Sequence, residues 1–255
     1  MKNESFFRTD GSNYYPNPVC AGPWDPKSLH GRVIAGLLSY EIESKHGDLD
    51  FHPARLTVDL YRQPNFSPIQ VASQKIRDGR RIRVVDAELT SEGKSIGRAT
   101  CQLLKCTRNP EDSIWQRPNW SVPSPQEIES ESLNPLGGMW EIRHIKNRND
   151  SSQQRCLWMR EVRQLIEGQE LTPWQRVALA ADFASPFANS GEKGLAFINT
   201  DITLYTHRPP TTPWIGFEVM NHQSDKGIAI AECYLYDELG PIGSSSVTAL
   251  AQTKA

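Results

Sequence analysis

The chain has 255 residues, of which 38% are hydrophobic and 23% are charged, and its formal net charge is -2. This composition is typical of a globular protein, and the near-neutral charge gives no reason to expect binding to nucleic acid or to an anionic membrane. The opening residues, MKNESFFRTDG, lack the apolar core of a signal peptide, and no apolar run could span a bilayer. We therefore expect a cytoplasmic protein.

The cysteine and histidine patterns give no support for disulfide or metal chemistry. His207 and His222 have no neighbours at the spacing of metal ligands, so no metal site is predicted. The chain also lacks a glycine-rich phosphate loop and a Gly-X-Ser-X-Gly turn, and we expect no cofactor. An odd, scattered set of cysteines favours free thiols in a reducing compartment. They are Cys20, Cys101, Cys106, Cys156 and Cys233.

In chain order, the first regular element is a helix followed by four strands. HGRVIAGLLSYEIESKHG (30 to 47) has apolar residues at helical spacing, and Gly47 suits a helix C-terminus. Alternation of apolar and polar residues then predicts an antiparallel group of strands. Their ranges are roughly 54 to 62, 68 to 76, 80 to 90 and 95 to 105.

The same order recurs after a segment rich in proline and serine. TPWQRVALAADFAS (172 to 185) reads as a helix with Thr172 as N-cap and Pro173 at its first position. Four strands follow, at roughly 196 to 207, 214 to 222, 227 to 236 and 242 to 251. We predict an α+β chain with an N-terminal half at 1–107, a linker at 108–136 and a C-terminal half at 137–255.

The two halves are related by an offset of 146 residues. Arg62-Gln63-Pro64 falls on Arg208-Pro209-Pro210, and Ile96-Gly97 falls on Ile242-Gly243. The helices align at an offset of 144, since Arg32-Val33 matches Arg176-Val177. A duplicated unit explains this pattern better than one continuous sheet of nine or ten strands.

One charged residue stands out in the second half, in FINTDITLYTHRPP (197 to 210). Alternation places Asn199, Asp201 and Thr203 on the same face of one strand. Aspartate is depleted from strands because its carboxylate competes for backbone hydrogen bonds and is costly to desolvate. Asp201 is therefore either exposed or ion-paired, or it has a chemical role.

These segments together resemble the double-hotdog acyl-CoA thioesterases, and more narrowly the relatives of bacterial acyl-CoA thioesterase II. The resemblance covers nearly the whole chain and depends on the order and spacing of four stretches. They are GPWDPKSLHGRVIAGLL, VALAADFAS, FINTDITLYTHRPP and WIGFEVMNHQSDKGIAIAECYLYDELGPIG. The resemblance implies two hotdog units, each a helix wrapped by an antiparallel sheet, and a thioester of coenzyme A or of a carrier protein as substrate.

The resemblance also implies a catalytic aspartate on the first strand of the second hotdog, with a hydroxyl and a glutamine that orient water. Asp201 matches that aspartate. The hydroxyl position falls near Asn221 and His222, and the glutamine position falls at Thr248, so neither partner is matched in kind. We predict Asp201 and Thr248 as catalytic residues, and His222 and Thr203 as substrate-binding residues.

The start of the first helix is the other predicted part of the site. Unpaired N–H groups and the helix dipole at His30 and Gly31 can bind an oxyanion, and we predict both as catalytic, although His30 could merely cap the helix. Arg32 stands where many relatives have glycine, and it could bind a carboxylate or a phosphate. Asp182 is the one acid on an apolar helix face, and it is predicted to bind substrate unless it only bonds loop backbone.

The sequence therefore predicts an acyl-thioester hydrolase with one active site between the halves, where Asp201 faces the helix start at Gly31. Asp201 aligns with Arg55 and Gly31 with Gln175, so each half retains what the other lacks. Two alternatives remain. One is a biosynthetic hotdog enzyme with non-hydrolytic chemistry, such as a dehydratase, an isomerase or a cyclase. The other is a non-catalytic acyl-binding protein. A homo-oligomer is plausible by analogy.

Overall fold

A computed structural model describes residues 4–22, 25–118, 120–129, 140–146 and 154–252. Three α-helices are present there: α1 (Gly31–His46), α2 (Pro173–Ala181) and α3 (Ala184–Asn189). The strands, in chain order, are β1 (Phe7–Thr9), β2 (Tyr14–Pro16), β3 (Phe51–Leu60), β4 (Ile69–Asp78), β5 (Ile82–Ser91), β6 (Lys94–Lys105), β7 (Trp140–Lys146), β8 (Cys156–Glu161), β9 (Ser190–Gly191), β10 (Gly194–Leu195), β11 (Phe197–Asn199), β12 (Asp201–Thr206), β13 (Trp214–Asp225), β14 (Ile228–Asp237) and β15 (Gly240–Ala251).

One large antiparallel sheet carries nearly all of these strands, in the order β1-β2-β4-β5-β6-β3-β12-β15-β14-β13-β8-β7. β11 adds to β15, and β9 with β10 forms a separate small hairpin. The two halves join where β3 pairs with β12. At that joint Thr57 lies opposite Thr203, which is its equivalent in the second half at the offset of 146. The register therefore places a pseudo-twofold axis between two equivalent positions.

The predicted double hotdog is confirmed, and the duplicated strands keep their offset. β5 and β6 coincide with β14 and β15 when shifted by 146 residues. The second predicted helix differs from the prediction, because it breaks at Asp182 and Phe183 into α2 and α3. The predicted strand at 196 to 207 is likewise interrupted at Thr200, between β11 and β12.

The core lies between the sheet and the helices. The side chains of α1 from Val33 to Leu38 are almost wholly buried, and they pack with α2 and the inner face of the sheet. Close packing of the helices requires Gly36, because a Cβ there would meet the Leu179 side chain at 2.5 Å. Burying apolar surface on this scale is the main stabilising contribution to such a fold.

The proline-rich segment after β6 also packs against the second half. Trp120 stacks on Tyr236, with ring centroids 4.4 Å apart, and contacts Trp158 at 5.2 Å. The indole N–H of Trp158 donates to the carbonyl of Pro123 at 3.0 Å. This part of the segment therefore covers the face of the sheet that points away from the helices. The domain boundaries at 107 and 136 remain a prediction.

Candidate active site

A cavity of about 300 Å³ opens at the start of α1, where the two halves meet. The first half contributes the helix start and the chain after β3, and the second half contributes the α2–α3 junction and β11. Its polar lining includes His30, Asp182 and Asn199. Its apolar lining comes from both halves: Leu29, Ile34, Leu60, Pro186, Leu195 and Ile198. An apolar cavity with a few converging polar groups is the usual form of a small-molecule site.

The start of α1 presents backbone N–H groups to this cavity. His30 is the N-cap, and its Nδ1 lies 3.2 Å from the amide nitrogen of Arg32. No described residue accepts a hydrogen bond from the N–H of Gly31. A free N–H at the positive end of a helix of 16 residues is a binding site for an oxyanion.

Asp182 lies directly beside this helix start. It is 3% exposed, and its position at the break between α2 and α3 lets its side chain leave the helix end and reach the other half. Oδ2 lies 3.1 Å from His30 Nδ1, and Oδ1 accepts a hydrogen bond of 3.0 Å from Asn199 Nδ2. A Cβ at Gly31 would lie only 3.0 Å from Oδ1, so glycine is what allows the carboxylate to approach.

The electrostatic environment keeps this carboxylate charged. Burial acts to raise the pKa of Asp182, but the hydrogen bond from His30, the bond from Asn199 and the charge of Arg32 outweigh it, and the pKa lies below its usual range. His30 Nδ1 can serve only one neighbour at a time. The tautomer with a hydrogen on Nδ1 donates to Asp182, and the tautomer without it accepts from the amide of Arg32.

Asp201 and Thr248 are neighbours, but neither lines this cavity. The Asp201 carboxylate accepts hydrogen bonds from the amide of Thr248 at 2.7 Å and from its hydroxyl. Asn199 connects this pair to the cavity, because its Nδ2 lies 3.4 Å from the backbone carbonyl of Asp201 as well as 3.0 Å from Asp182. The structure therefore unites His30, Gly31 and Asp182, and it places Asp201 with Thr248.

Arg32 points away from the cavity into the core. Its guanidinium is fully buried, with Nη1 2.6 Å from Glu161 Oε2 and its centre 4.1 Å above the ring of Trp140. In this position it contacts no cavity surface, and its charge acts on Asp182 through the interior. Its predicted role in binding a substrate anion has no support in this geometry.

His222 and Thr203 also lie outside the cavity lining. His222 Nδ1 lies 2.9 Å from Asn189 Oδ1 at the end of α3, and its ring is 5.5 Å from that of Phe197. Thr203 lies in the middle of the joint between the halves. Their assignment to substrate binding stays a prediction.

Asn199 is a candidate site residue that the sequence reasoning missed. The pairing register between β15 and the strand at 197 to 206 shifts by one residue between Asn199 and Thr203, which is a β-bulge. The bulge separates Asn199, at the cavity, from Asp201, at Thr248. A prediction that assumes regular alternation of side chains along the strand puts both residues on one face and cannot show this separation. A second polar residue two positions before the strand aspartate was the available signal.

Metal ligation and membrane spanning find no support in the described residues. No group of three or more His, Cys, Asp or Glu side chains could hold a metal ion in the described part of the chain. Within the same residues, no helix is both long and apolar enough to cross a membrane. The groups at the helix start that can take part in acid–base chemistry or bind an oxyanion are the Asp182 carboxylate, the His30 imidazole and the Gly31 amide.

Structural comparison finds the same fold in solved proteins that share little sequence identity with this chain. A protein with a hotdog fold from Alicyclobacillus acidocaldarius matches with a TM-score of 0.76 and 14% identity, over 98% of this chain and 96% of that one. The tesB protein of Mycobacterium avium subspecies paratuberculosis matches with a TM-score of 0.72 and 13% identity, over 97% and 96%. The acyl-CoA thioesterase II TesB2 of Mycobacterium marinum matches with a TM-score of 0.68 and 12% identity, over 98% and 96%.

Sequence comparison gives the family. No curated protein sequence matches the chain. The family model of the acyl-CoA thioesterase N-terminal domain matches residues 20–104, and that of the C-terminal domain matches residues 105–251. The chain therefore belongs to the acyl-CoA thioesterase family of hotdog thioester hydrolases.

Proposed function

We propose that the chain hydrolyses the thioester of an acyl-CoA in the cavity at the start of α1, with Asp182 as the base. The observation that supports this most is the contact between the halves. The Asp182 carboxylate of the second half lies against Gly31, at the helix start of the first. Thioester hydrolysis needs an oxyanion donor and a proton acceptor within about 3 Å of the reacting atoms.

In this proposal the carbonyl oxygen of the thioester accepts a hydrogen bond from the N–H of Gly31. The helix dipole adds positive potential at the same point. Both favour the tetrahedral intermediate, in which the oxygen carries a full negative charge, over the neutral thioester. Glycine is needed here because a side chain would fill the space between the amide and Asp182.

The Asp182 carboxylate holds the attacking water and takes its proton as the water oxygen bonds to the carbonyl carbon. Asn199 fixes the orientation of the carboxylate through its bond of 3.0 Å, and His30 does so across 3.1 Å when its Nδ1 carries a proton. The intermediate then collapses, the carbon–sulfur bond breaks, and the proton on Asp182 passes to the thiolate. The products are a carboxylic acid and the free thiol of coenzyme A, so atoms and charge balance.

The walls of the cavity suit the acyl part of such a substrate. Ile34, Leu60, Leu195 and Ile198 surround the polar end with apolar surface. Burial of an alkyl chain contributes about 0.8 kcal/mol for each methylene group removed from water. Coenzyme A is the expected thiol because the matched family models describe acyl-CoA thioesterases.

Two carboxylates compete for the role of base, and a pair of variants separates them. Thiol release from a panel of acyl-CoA esters is measured for Asp182→Asn, Asp201→Asn and the unmodified protein. We expect Asp182→Asn to lower kcat by about 10² to 10⁴, the usual contribution of a general base. Asp201→Asn should retain kcat within about tenfold, since its carboxylate is occupied by Thr248.

The reverse result would support Asp201 as the base and contradict the proposal. Conversion of the acyl group without thiol release would contradict hydrolysis itself. Circular dichroism and thermal unfolding of both variants show that a lost activity is not a lost fold. An acyl carrier protein thioester, assayed beside the CoA ester, tests which thiol the site accepts.

A further inference from the structure

A second cavity, of about 460 Å³, lies at the opposite end of the helices. It is formed by the start of α2, the end of α1, the start of β3 and the chain after β12. Its lining includes Ile42, Phe51, Leu103, Trp174 and Val177, all buried. Nothing in the proposed mechanism uses this cavity.

The pseudo-twofold axis relates this second cavity to the active-site cavity. Three of its wall residues are equivalent, at the offset of 146, to three residues of the first cavity. They are Thr206, Arg208 and Pro209, which correspond to Leu60, Arg62 and Gln63. At the helix offset of 144, Trp174 is the mate of His30. The duplication has therefore produced two equivalent cavities, one at each end of the molecule.

The second cavity lacks counterparts of the two polar residues Asp182 and Asn199. Pro53 stands at the mate of Asn199, and Leu38 at the mate of Asp182. The start of α2 is closed by its own side chains. Thr172 accepts from the amide of Gln175 at 3.1 Å, and the Gln175 side chain donates to Glu43 at 2.7 Å. We therefore expect hydrolysis in the first cavity and not in the second.

The charged residues of the second cavity already have partners. Arg208 binds Asp237 through two hydrogen bonds of 2.6 Å, and Asp48 pairs with Arg83 at 2.7 Å. Glu43 accepts from Thr172 and Gln175, each at 2.7 Å. The polar His52 is also engaged, with Nε2 3.0 Å from the Thr206 hydroxyl, so the surface that meets a ligand is mostly apolar wall. Such a wall favours an apolar ligand, because it offers water few hydrogen-bonding partners.

We propose that the second cavity is a non-catalytic binding site for the alkyl chain of a fatty acyl group. The chain enters between α1 and α2, and the polar head stays in solvent near Leu49, which is fully exposed at the rim. Either the acyl-CoA or the released fatty acid can supply such a chain. The ligand class rests on the proposed function of the first cavity, whereas the existence of the cavity does not.

The test counts bound ligands on the full chain by native mass spectrometry and titration calorimetry. The probes are a straight-chain acyl-CoA thioether, which cannot be hydrolysed, and the matching free fatty acid. We expect two thioethers per chain, or one thioether and one fatty acid when both probes are present. Leu49→Asp places a charge where the alkyl chain enters. Binding at the second cavity should weaken at least tenfold, while the rate of hydrolysis is unchanged.

Leu239→Asp is the matched control, because Leu239 is 73% exposed and lies outside this cavity. It should bind two ligands as the unmodified protein does. If the unmodified protein and both variants each bind only one ligand per chain, the proposal is overturned. Asp182→Asn separates the two proposals: if it retains full hydrolysis, the function of the first cavity fails, and ligand counting still decides the second site.

Discussion

Substitution of Gly31 tests the contact on which the proposed chemistry depends. A Cβ at this position would lie 3.0 Å from Asp182 Oδ1 and 3.4 Å from Oδ2, whereas ordinary contact begins at 3.4 Å. The carboxylate would have to retreat by a few tenths of an ångström, against its bonds to Asn199 and His30. Valine adds two further carbons, and the displacement grows with them.

A displacement of about 1 Å in a catalytic group costs about 10² in rate, and loss of an oxyanion donor costs about 10² to 10³. We therefore expect Gly31→Ala to lower kcat about tenfold and Gly31→Val about 10² to 10³, measured as thiol release. Gly22→Ala is the matched control, because its Cβ would meet its nearest neighbours at 3.5 Å, and it should retain full activity.

The double variant Gly31→Val, Asp182→Asn should lose little more than the worse single variant, because the two residues act as one unit. Additive losses would show that they act separately. Activity of Gly31→Val within about twofold of the unmodified protein would refute the reasoning, since one proposed oxyanion donor and the base position would then both be dispensable.

Two further predictions concern stability. Arg32→Met leaves Glu161 buried without its ion-pair partner, and urea denaturation should show a loss of about 3 to 5 kcal/mol. As a control, Lys75→Met removes a partly exposed ion pair with Asp78 and should lower the free energy of unfolding by no more than about 1 kcal/mol. Equal losses of stability in the two variants would contradict the account. The second prediction is a pH effect at Asp237: burial acts to raise its pKa, but Arg208 and Thr211 lower it from 3.8 to about 2. Because the folded pKa lies below the unfolded value, this contribution to stability is present above pH 3.8 and is lost as the pH falls towards 2. Asp237→Asn should cost about 2 kcal/mol at neutral pH and remove this part of the acid dependence; an unchanged pH profile would contradict it.

The duplicated strands could be predicted because their residues alternate between a buried and an exposed face. β8 could not, since CLWMRE is buried on nearly every residue and shows no alternation. β1 and β2 are three residues each, too short for a periodic pattern. Sequence periodicity therefore recovers the longer elements with one solvent-facing side and misses those that are covered on both sides or very short.

The candidate site was predicted in part, and the missing part has a physical cause. Gly31 and His30 follow from the chemistry of a helix start, which is local in sequence. The position of Asp182 depends on a helix break at Asp182 and Phe183, and its local signal is Pro186, which cannot donate to the carbonyl of Asp182 four residues before it. The role of Asn199 depends on a bulge whose register only the partner strand reveals. The bulge is a tertiary effect, and the available sequence signals were Pro186 after Asp182 and the polar Asn199 two positions before Asp201.

The most direct test of the central proposal is the structure of the Asp182→Asn protein with an intact acyl-CoA bound. The account predicts the carbonyl oxygen of the thioester within about 3 Å of the Gly31 nitrogen, with the substituted side chain beside the carbonyl carbon and the acyl chain against Ile34 and Ile198. A thioester bound beside Asp201 and Thr248, or in the cavity at Trp174 and Pro53, would contradict it.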